Sequence, residues 1–476
     1  MNTIQRIAKN TAALFAAQFV VSILGLILSL FIARSLGDVI FGKFSFALAF
    51  VAIFTVFSDF GYNTLLIREV AKDKSQASKY LNNVLCIRAL LSLVIFALIV
   101  ITINVIGFPA DTKNVIYLLG IYILITSFSA VFKVTFRAFE KMEYEAGITI
   151  FTNIIRVSLG LLVLFLGYGL IELALVFLFS GVLDLLFGFL VCERRFVKPK
   201  IELDFEFWKN TIKIAFPMGM LSLFALIYIR IDTIMLSMMK GDAVVGWYNA
   251  AYNLVLAFTL IPQLFMNAIF PLMSSYYVSS KDSLKRAYEK SFKYLFILGL
   301  PLAVGITLLP ERFILLLYGE QFYPSIIALQ ILAWDILLIF LFMCFGFILV
   351  LIDKQNQMAV IAGCAAFINV ILNLFLIPSF SYVGAAIATI ITETILIFLY
   401  FMLISKNFYK LSISKMVTKP LIATSIMGFF VYYLTNINLF LLILLAVLVY
   451  FISLYFVKGF SKEDLDLLRQ ASRYPK

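Results

Sequence analysis

The sequence predicts an all-α polytopic membrane protein of about fourteen transmembrane helices, and three observations predict it. Of 476 residues, 63% are hydrophobic and 13% are charged, against about 25% charged in a soluble domain. The apolar residues arrive in runs such as LLSLVIFALIVITINVIGF (90–108) and LFLLILLAVLVYFISLYFV (439–457), the length at which a helix crosses a bilayer. The basic residues sit in short clusters between these runs, where they set topology. The net charge of +12 therefore points to membrane orientation and not to nucleic acid.

Taken in order, the spans are 11–33, 40–65, 83–107, 115–138, 147–167, 170–191, 210–238, 246–275, 287–310, 325–350, 357–378, 381–404, 417–435 and 437–457. Placing the N-terminus inside assigns 30 of the 38 Lys and Arg residues to inner segments and five (Arg34, Lys43, Lys113, Lys240, Arg312) to outer loops. Lys133, Arg156 and Arg230 fall within helices, which accounts for all 38. This bias predicts that both termini are cytoplasmic. The first apolar run is long and lacks a small-residue cleavage site, so no cleavable signal peptide is expected.

The longest charged segment, CERRFVKPKIELDFEFWKN (192–210), separates two groups of six helices. Phe205, Trp208 and Ile212 share one helical face, which predicts an interfacial helix on the cytoplasmic surface. The tail SKEDLDLLRQASRYPK opens with a Ser461-x-x-Asp464 capping pattern and predicts a short exposed helix. The expected organisation is an N-lobe over 1–191, a linker over 192–209, a C-lobe over 210–404, two further helices over 405–457 and a cytoplasmic tail over 458–476.

The two halves share a phrase. Gly37-Asp38-x-Ile40-x-Gly42-x-Phe44 returns as Gly241-Asp242-x-Val244-x-Gly246-x-Tyr248, and Ala47 as Ala251, all at an offset of 204. Glu140-Lys141 returns as Asp353-Lys354 at 213, and Tyr168 as Tyr382 at 214. Both halves start on the same side, so the repeat is parallel, with its axis along the membrane normal, as in two-lobed transporters. The phrase reads as structural: glycines where the chain turns closely, and Asp38 and Asp242 as turn-forming acids of an exterior loop.

These residues also carry a resemblance. The doubled Gly-x-x-x-x-Gly-x-[Phe/Tyr], YNAAY (248–252), Asp59-Phe60-Gly61 and YVGAAIATIITE (382–393) resemble the MOP exporter superfamily. Within it the chain most resembles the polysaccharide-transporter branch, the O-antigen-type flippases, over roughly residues 1–460. The resemblance implies two six-helix lobes forming a V-shaped cavity, with alternating access. It implies translocation of a polyprenyl-linked oligosaccharide or polysaccharide repeat unit from the cytoplasmic to the outer leaflet of a prokaryotic cell membrane. The two additional helices fit the lipid-substrate branches. A monomer among membrane lipids, near glycosyltransferases or a polymerase, is the expected setting. A cation-coupled multidrug exporter and a lipid II-type flippase are the alternatives.

Ionisable groups inside the hydrocarbon cost roughly 3 kcal/mol each and face a cavity or a partner. Arg156 stands near the middle of its span and is the leading substrate candidate, suited to a pyrophosphate or acidic sugar; the structural alternative is an ion pair bracing two helices. Arg230 and Asp232 lie about 200° apart on one helix and cannot pair along it. Arg230 is assigned to the cavity, and Asp232 to ion coupling or to a structural donor. Lys133 reads as a substrate contact or as a side chain that snorkels to the interface. Asp184, Asp335 and Glu393 are candidates to carry a proton or cation, since burial keeps a carboxyl neutral; Asp59 is another, or else contacts backbone at its helix end. Pro217, Pro262 and Pro301 are expected to interrupt helices of the second half only, either to let them bend during transport or as local kinks that fit the packing.

Other chemistries find no foothold. The chain has no histidine, and Cys86, Cys192, Cys344 and Cys364 lack metal-ligand spacing and read as small membrane-core residues. No metal site and no cofactor is expected; H⁺ or Na⁺ coupling is. There is no Gly-x-x-x-x-Gly-Lys-[Ser/Thr] phosphate loop, and no loop carries a catalytic constellation, so the chain is not expected to be an enzyme.

Overall fold

A computed structural model describes residues 3–460; the Ser461–Asp464 capping pattern lies outside the described residues. Apolar runs of this length bury every backbone donor and acceptor only by closing them into helices, and the described residues do so fifteen times: α1 (Thr3–Asp59), α2 (Tyr62–Lys72), α3 (Ala77–Ile106), α4 (Ala110–Ala138), α5 (Met142–Phe165), α6 (Leu170–Arg195), α7 (Phe205–Lys240), α8 (Asp242–Ala257), α9 (Leu260–Ser279), α10 (Lys281–Leu308), α11 (Pro310–Leu317), α12 (Ser325–Leu351), α13 (Gln355–Asn407), α14 (Ile413–Tyr433) and α15 (Leu439–Phe456). Among the described residues, twelve segments are long and apolar enough to cross a membrane. Two of them, Ala12–Lys72 and Gln355–Asn407, each contain a non-helical residue, Gly37 and Ser381. Divided there, the twelve become fourteen, as the sequence predicts.

The repeat is written into the backbone. Gly37 adopts φ 81°, ψ 176° and Gly241 φ 91°, ψ 177°, a region that essentially only glycine enters. Glu140 and Asp353 both take φ 58°, and each closes the same pair of turn hydrogen bonds: Glu140 N to Arg137 O and Lys141 N to Phe136 O, Asp353 N to Val350 O and Lys354 N to Leu349 O. The expected exterior loop at the repeated phrase is corrected to a one-residue joint. The following helix starts at once, so Asp38 and Asp242 sit in its first turn, where an acid faces the positive end of the helix dipole. The second glycine of the phrase has a different task. A Cβ on Gly42 would collide with the Asp242 carbonyl, and one on Gly246 with the Asp38 carbonyl. The two copies thus pack backbone to backbone, each on the other, and Trp247 Nε1 donates to Asp38 Oδ2 across the contact at 2.8 Å.

Two compact units emerge. One holds the chain up to Asn249 together with Ala366–Tyr382; the other holds Ala250–Ala365 and the chain from Val383 onward. The first centres on Tyr62, Leu65, Leu81, Val131 and Phe136, packed against Cys192. In the second, Ile297, Met427, Leu442 and Leu454 pack around Tyr450, whose hydroxyl donates to Ile297 O at 2.7 Å.

Three expectations are corrected. The linker forms no separate interfacial helix: α6 runs to Arg195, residues 197–204 are non-helical, and α7 starts at Phe205 behind an Asp204 cap that accepts from Phe207 N at 2.9 Å. The buried face of that start is Phe207, Thr211 and Ala215, while Phe205 and Ile212 are exposed. The prolines act differently: α7 is continuous through position 217 and Pro301 lies inside α10, whereas the chain breaks at 258–259, just before Pro262 in the first turn of α9, as expected there. Among the cysteines, Cys192 and Cys344 are buried as expected, but Cys364 is exposed.

Candidate functional site

The predicted polar residues of the first unit gather in three places. The first is a cavity of about 190 Å³ between α4, α5 and α6, lined by Tyr122, Lys133, Thr152, Asn153, Arg156 and Asp184 among others. Lys133 Nζ donates to both carboxylate oxygens of Asp184 at 2.7 Å. Thr152 Oγ1 donates to Asp184 Oδ1 at 3.2 Å, and Ser129 Oγ anchors the Asp184 backbone carbonyl at 3.0 Å. The snorkelling reading of Lys133 gives way to an ion pair, because the buried Asp184 carboxylate of α6 holds the ammonium where it stands.

Arg156 shares this cavity but not the carboxylate. Nη1 donates to Tyr122 OH at 2.8 Å, and Nη2 to Asn153 Oδ1. The guanidinium lies over the Phe177 ring, 5.1 Å from its centroid, where the negative face of the ring favours a cation. Nε is buried with no partner. Among the described residues Arg156 makes no ion pair, so the ion-pair alternative is set aside. Lys133, Asp184 and Arg156 leave the cavity with one net positive charge, and the guanidinium has donors to spare.

The second place is a brace. Arg88 is 1% exposed, and its Nη2 donates to Asp59 Oδ1 at 2.6 Å and to Asn63 Oδ1 at 3.2 Å. Its Nη1 donates to Ser127 O. Asp59 also accepts from Asn63 N at 3.1 Å, the backbone contact expected of it. The charge count groups Arg88 with the inner loops, and the structure corrects this: it is a buried side chain of α3. Its setting in LCIRALL, between apolar residues, is the signal that marks it.

The third place is a buried polar cluster on α7, α8 and α13. Asp232 accepts from Tyr248 OH at 2.8 Å and from Asn373 Nδ2 at 2.6 Å. Asn373 Nδ2 also reaches Asn369 Oδ1 at 3.0 Å, and Thr233 and Asn249 bond one another beside it. Asn373 Oδ1 is buried with no hydrogen-bond donor. Arg230, two residues from Asp232, has no hydrogen bond or ion pair among the described residues, as its opposite direction on the helix requires. Asn369 and Asn373 were not among the predicted site residues; their i, i+4 spacing within an apolar helix is the signal for them. In the second unit, Asp335 is buried in α12 and Glu393 is half-buried in α13. Among the described residues no group of three or more Cys, Asp and Glu is placed to hold a metal ion.

What the fold and the charged cavity describe together is a multi-pass membrane transporter. The family model of the polysaccharide biosynthesis proteins matches residues 7–277, more than half of the chain, and the MatE model matches residues 217–375. The chain belongs to the polysaccharide biosynthesis protein family, within the MOP superfamily. It is 25% identical over 394 residues to the probable low-salt glycan biosynthesis flippase Agl15 of Haloferax volcanii, covering 80% of each chain. It is 24% identical over 411 residues to the capsular polysaccharide biosynthesis protein CapF of Staphylococcus aureus, covering 83% of this chain and 98% of that one. The lipid II flippase MurJ in an inward-closed conformation shares the fold with a TM-score of 0.77 at 18% identity, over 94% of this chain and 98% of that one.

Proposed function

We propose that the protein is a flippase for a lipid-linked oligosaccharide or polysaccharide repeat unit, and that Arg156 binds an anionic group of it, the pyrophosphate or an acidic sugar. The observation that carries this reading is the guanidinium in a membrane cavity with no carboxylate of its own. A cationic drug gains nothing from such a site, whereas a phosphate gains charge-assisted, bidentate hydrogen bonds. The relatives named as flippases and capsule biosynthesis proteins support the same substrate class, and transport fits the chain better than enzymatic chemistry. Lys133, held by Asp184, orders the opposite wall, and Arg230 offers a second cationic contact. Alternating access with both termini in the cytoplasm completes the proposal.

Coupling belongs to the same reading. Asp232, buried and held by Tyr248 and Asn373, is the leading candidate to carry a proton or a small monovalent cation; Asp335 and Glu393 are further carriers. The reading is tested in proteoliposomes with a fluorescent polyprenyl-pyrophosphate disaccharide, set beside a lipophilic cationic dye, with and without a Na⁺ or H⁺ gradient. Gradient-dependent movement of the disaccharide is expected. Movement of the dye alone would replace it with drug export.

A further inference from the structure

The segment between α6 and α7 is an extended strap fastened to α3 by side chains. Asn82 Oδ1 accepts from Lys200 N at 2.9 Å, and Asn82 Nδ2 donates to Glu202 Oε2 at 3.1 Å. One helical position further on, Asn83 Oδ1 accepts from Asp204 N at 3.0 Å and from Trp208 Nε1 at 2.8 Å. Lys79 Nζ lies 3.0 Å from Asp204 Oδ2. Two adjacent amides therefore act as a partner strand. An extended chain sends alternate side chains to opposite faces, so fixing 202 and 204 inward turns 201, 203 and 205 outward. Ile201 is 90% exposed, Leu203 58% and Phe205 69%.

Behind these residues lies an apolar groove of about 690 Å³, walled by Leu85 and Ala89 of α3, Phe189 of α6, and Leu203 and Trp208. That volume suits a lipid-sized ligand. Leu90, Leu93 and Val94 extend the exposed apolar surface along α3, and Leu186 and Phe189 along α6, both membrane-crossing helices. Lys200 lines the groove, and Arg194, Arg195 and Lys198, close to it in the chain, are exposed. Of the nearby acids, Glu202 and Asp204 are turned to α3 by the bonds above, which leaves Glu193 and Glu206 on the open side.

We infer that this groove is a binding site for an anionic glycerophospholipid of the bilayer, with an acyl chain along Phe189 and Trp208 and the headgroup phosphate among Lys198, Lys200 and Arg194. An apolar trough beside two membrane helices fits an acyl chain, and Lys200 in its lining, with the exposed Lys198, Arg194 and Arg195 nearby in the chain, favours a charged headgroup. Each basic residue next to an anionic lipid surface is worth roughly fivefold in affinity.

The test uses the full chain in phosphatidylcholine nanodiscs doped with acyl-brominated phosphatidylglycerol or, separately, acyl-brominated phosphatidylcholine. Trp208 lines the groove, so the quenching that disappears in Trp208→Phe is its own signal. Brominated phosphatidylglycerol is expected to quench Trp208 several-fold more than the same mole fraction of brominated phosphatidylcholine. Arg194→Gln with Lys198→Gln and Lys200→Gln is expected to erase that preference. Equal quenching by the two lipids would overturn the site in favour of ordinary solvation by lipid. No quenching by either would overturn it in favour of a groove filled by protein. The wild-type comparison decides even if the charge variant fails to fold.

Discussion

Two arginines in membrane helices of the first unit are held in opposite ways. Arg88 is fully buried and meets a carboxylate, an amide oxygen and a backbone carbonyl. Arg156 is half-buried and meets a phenol, an amide oxygen and an aromatic face. Both occupy places where an uncompensated charge is expensive. The first has spent its charge on its own fold. The second meets no carboxylate among the described residues, which is the ground for proposing it as the substrate contact. Burial alone does not separate a brace from a binding group; the identity of the partners does.

The largest effect that tests this contrast is expected from Arg88→Ala. Removing the buried guanidinium leaves the half-buried Asp59 unpaired and frees the Ser127 carbonyl, at a cost of about 3 kcal/mol, the lower end for a buried pair. A denaturation series in mild detergent measures it, and a near-neutral result would erase the distinction. The Lys133–Asp184 pair comes next. Lys133→Met, Asp184→Asn and the double variant form a cycle whose coupling energy is expected at about 1–3 kcal/mol, with the double variant more stable than either single one. Additive losses would mean that the pair does not order the cavity wall. Tyr122→Phe should cost about 0.5–1.5 kcal/mol, read as a severalfold weaker apparent affinity for the disaccharide lipid; no change would show that Tyr122 does not orient Arg156.

The smallest effect concerns an acid exposed to water. The Phe207 N–H, and then Lys79, hold the Asp204 carboxyl below the usual carboxylate range. A depressed folded-state pKa contributes stability above the unfolded value of about 3.9 and loses it as pH falls through the folded value. Hydrogen exchange over 197–204 is therefore expected to quicken on acidification below that range, and to lose this dependence in Asp204→Ala.

Much of the fold was legible in the sequence because it rests on local signals. Apolar runs fix the fourteen spans, and the glycines of the repeated phrase mark backbone that other residues do not adopt. The phrase also carried more than it showed. That Gly42 and Gly246 let the two copies touch depends on residues some 200 positions apart. The linker was legible only in part: Phe205, Trp208 and Ile212 are helical, as the start of α7, but 197–204 is extended, fastened by Asn82 and Asn83 more than a hundred residues upstream. At the site, Arg156 was legible as a lone cation amid apolar residues. The Lys133–Asp184 pair was not, because the two lie 51 residues apart and each alone looks like a free charge. Arg88 escaped because a basic residue near a helix end is ordinarily a topology signal.

The proposed role of Arg156 is to hold a charge for the substrate. It is tested most directly by following wild type and Arg156→Ala together, for translocation of the fluorescent polyprenyl-pyrophosphate disaccharide and for unfolding. A charge-assisted contact of about 1.5–3 kcal/mol predicts transport reduced roughly 10- to 100-fold with the unfolding transition unchanged. Undiminished transport, or a loss of transport that only follows a loss of folding, would contradict it.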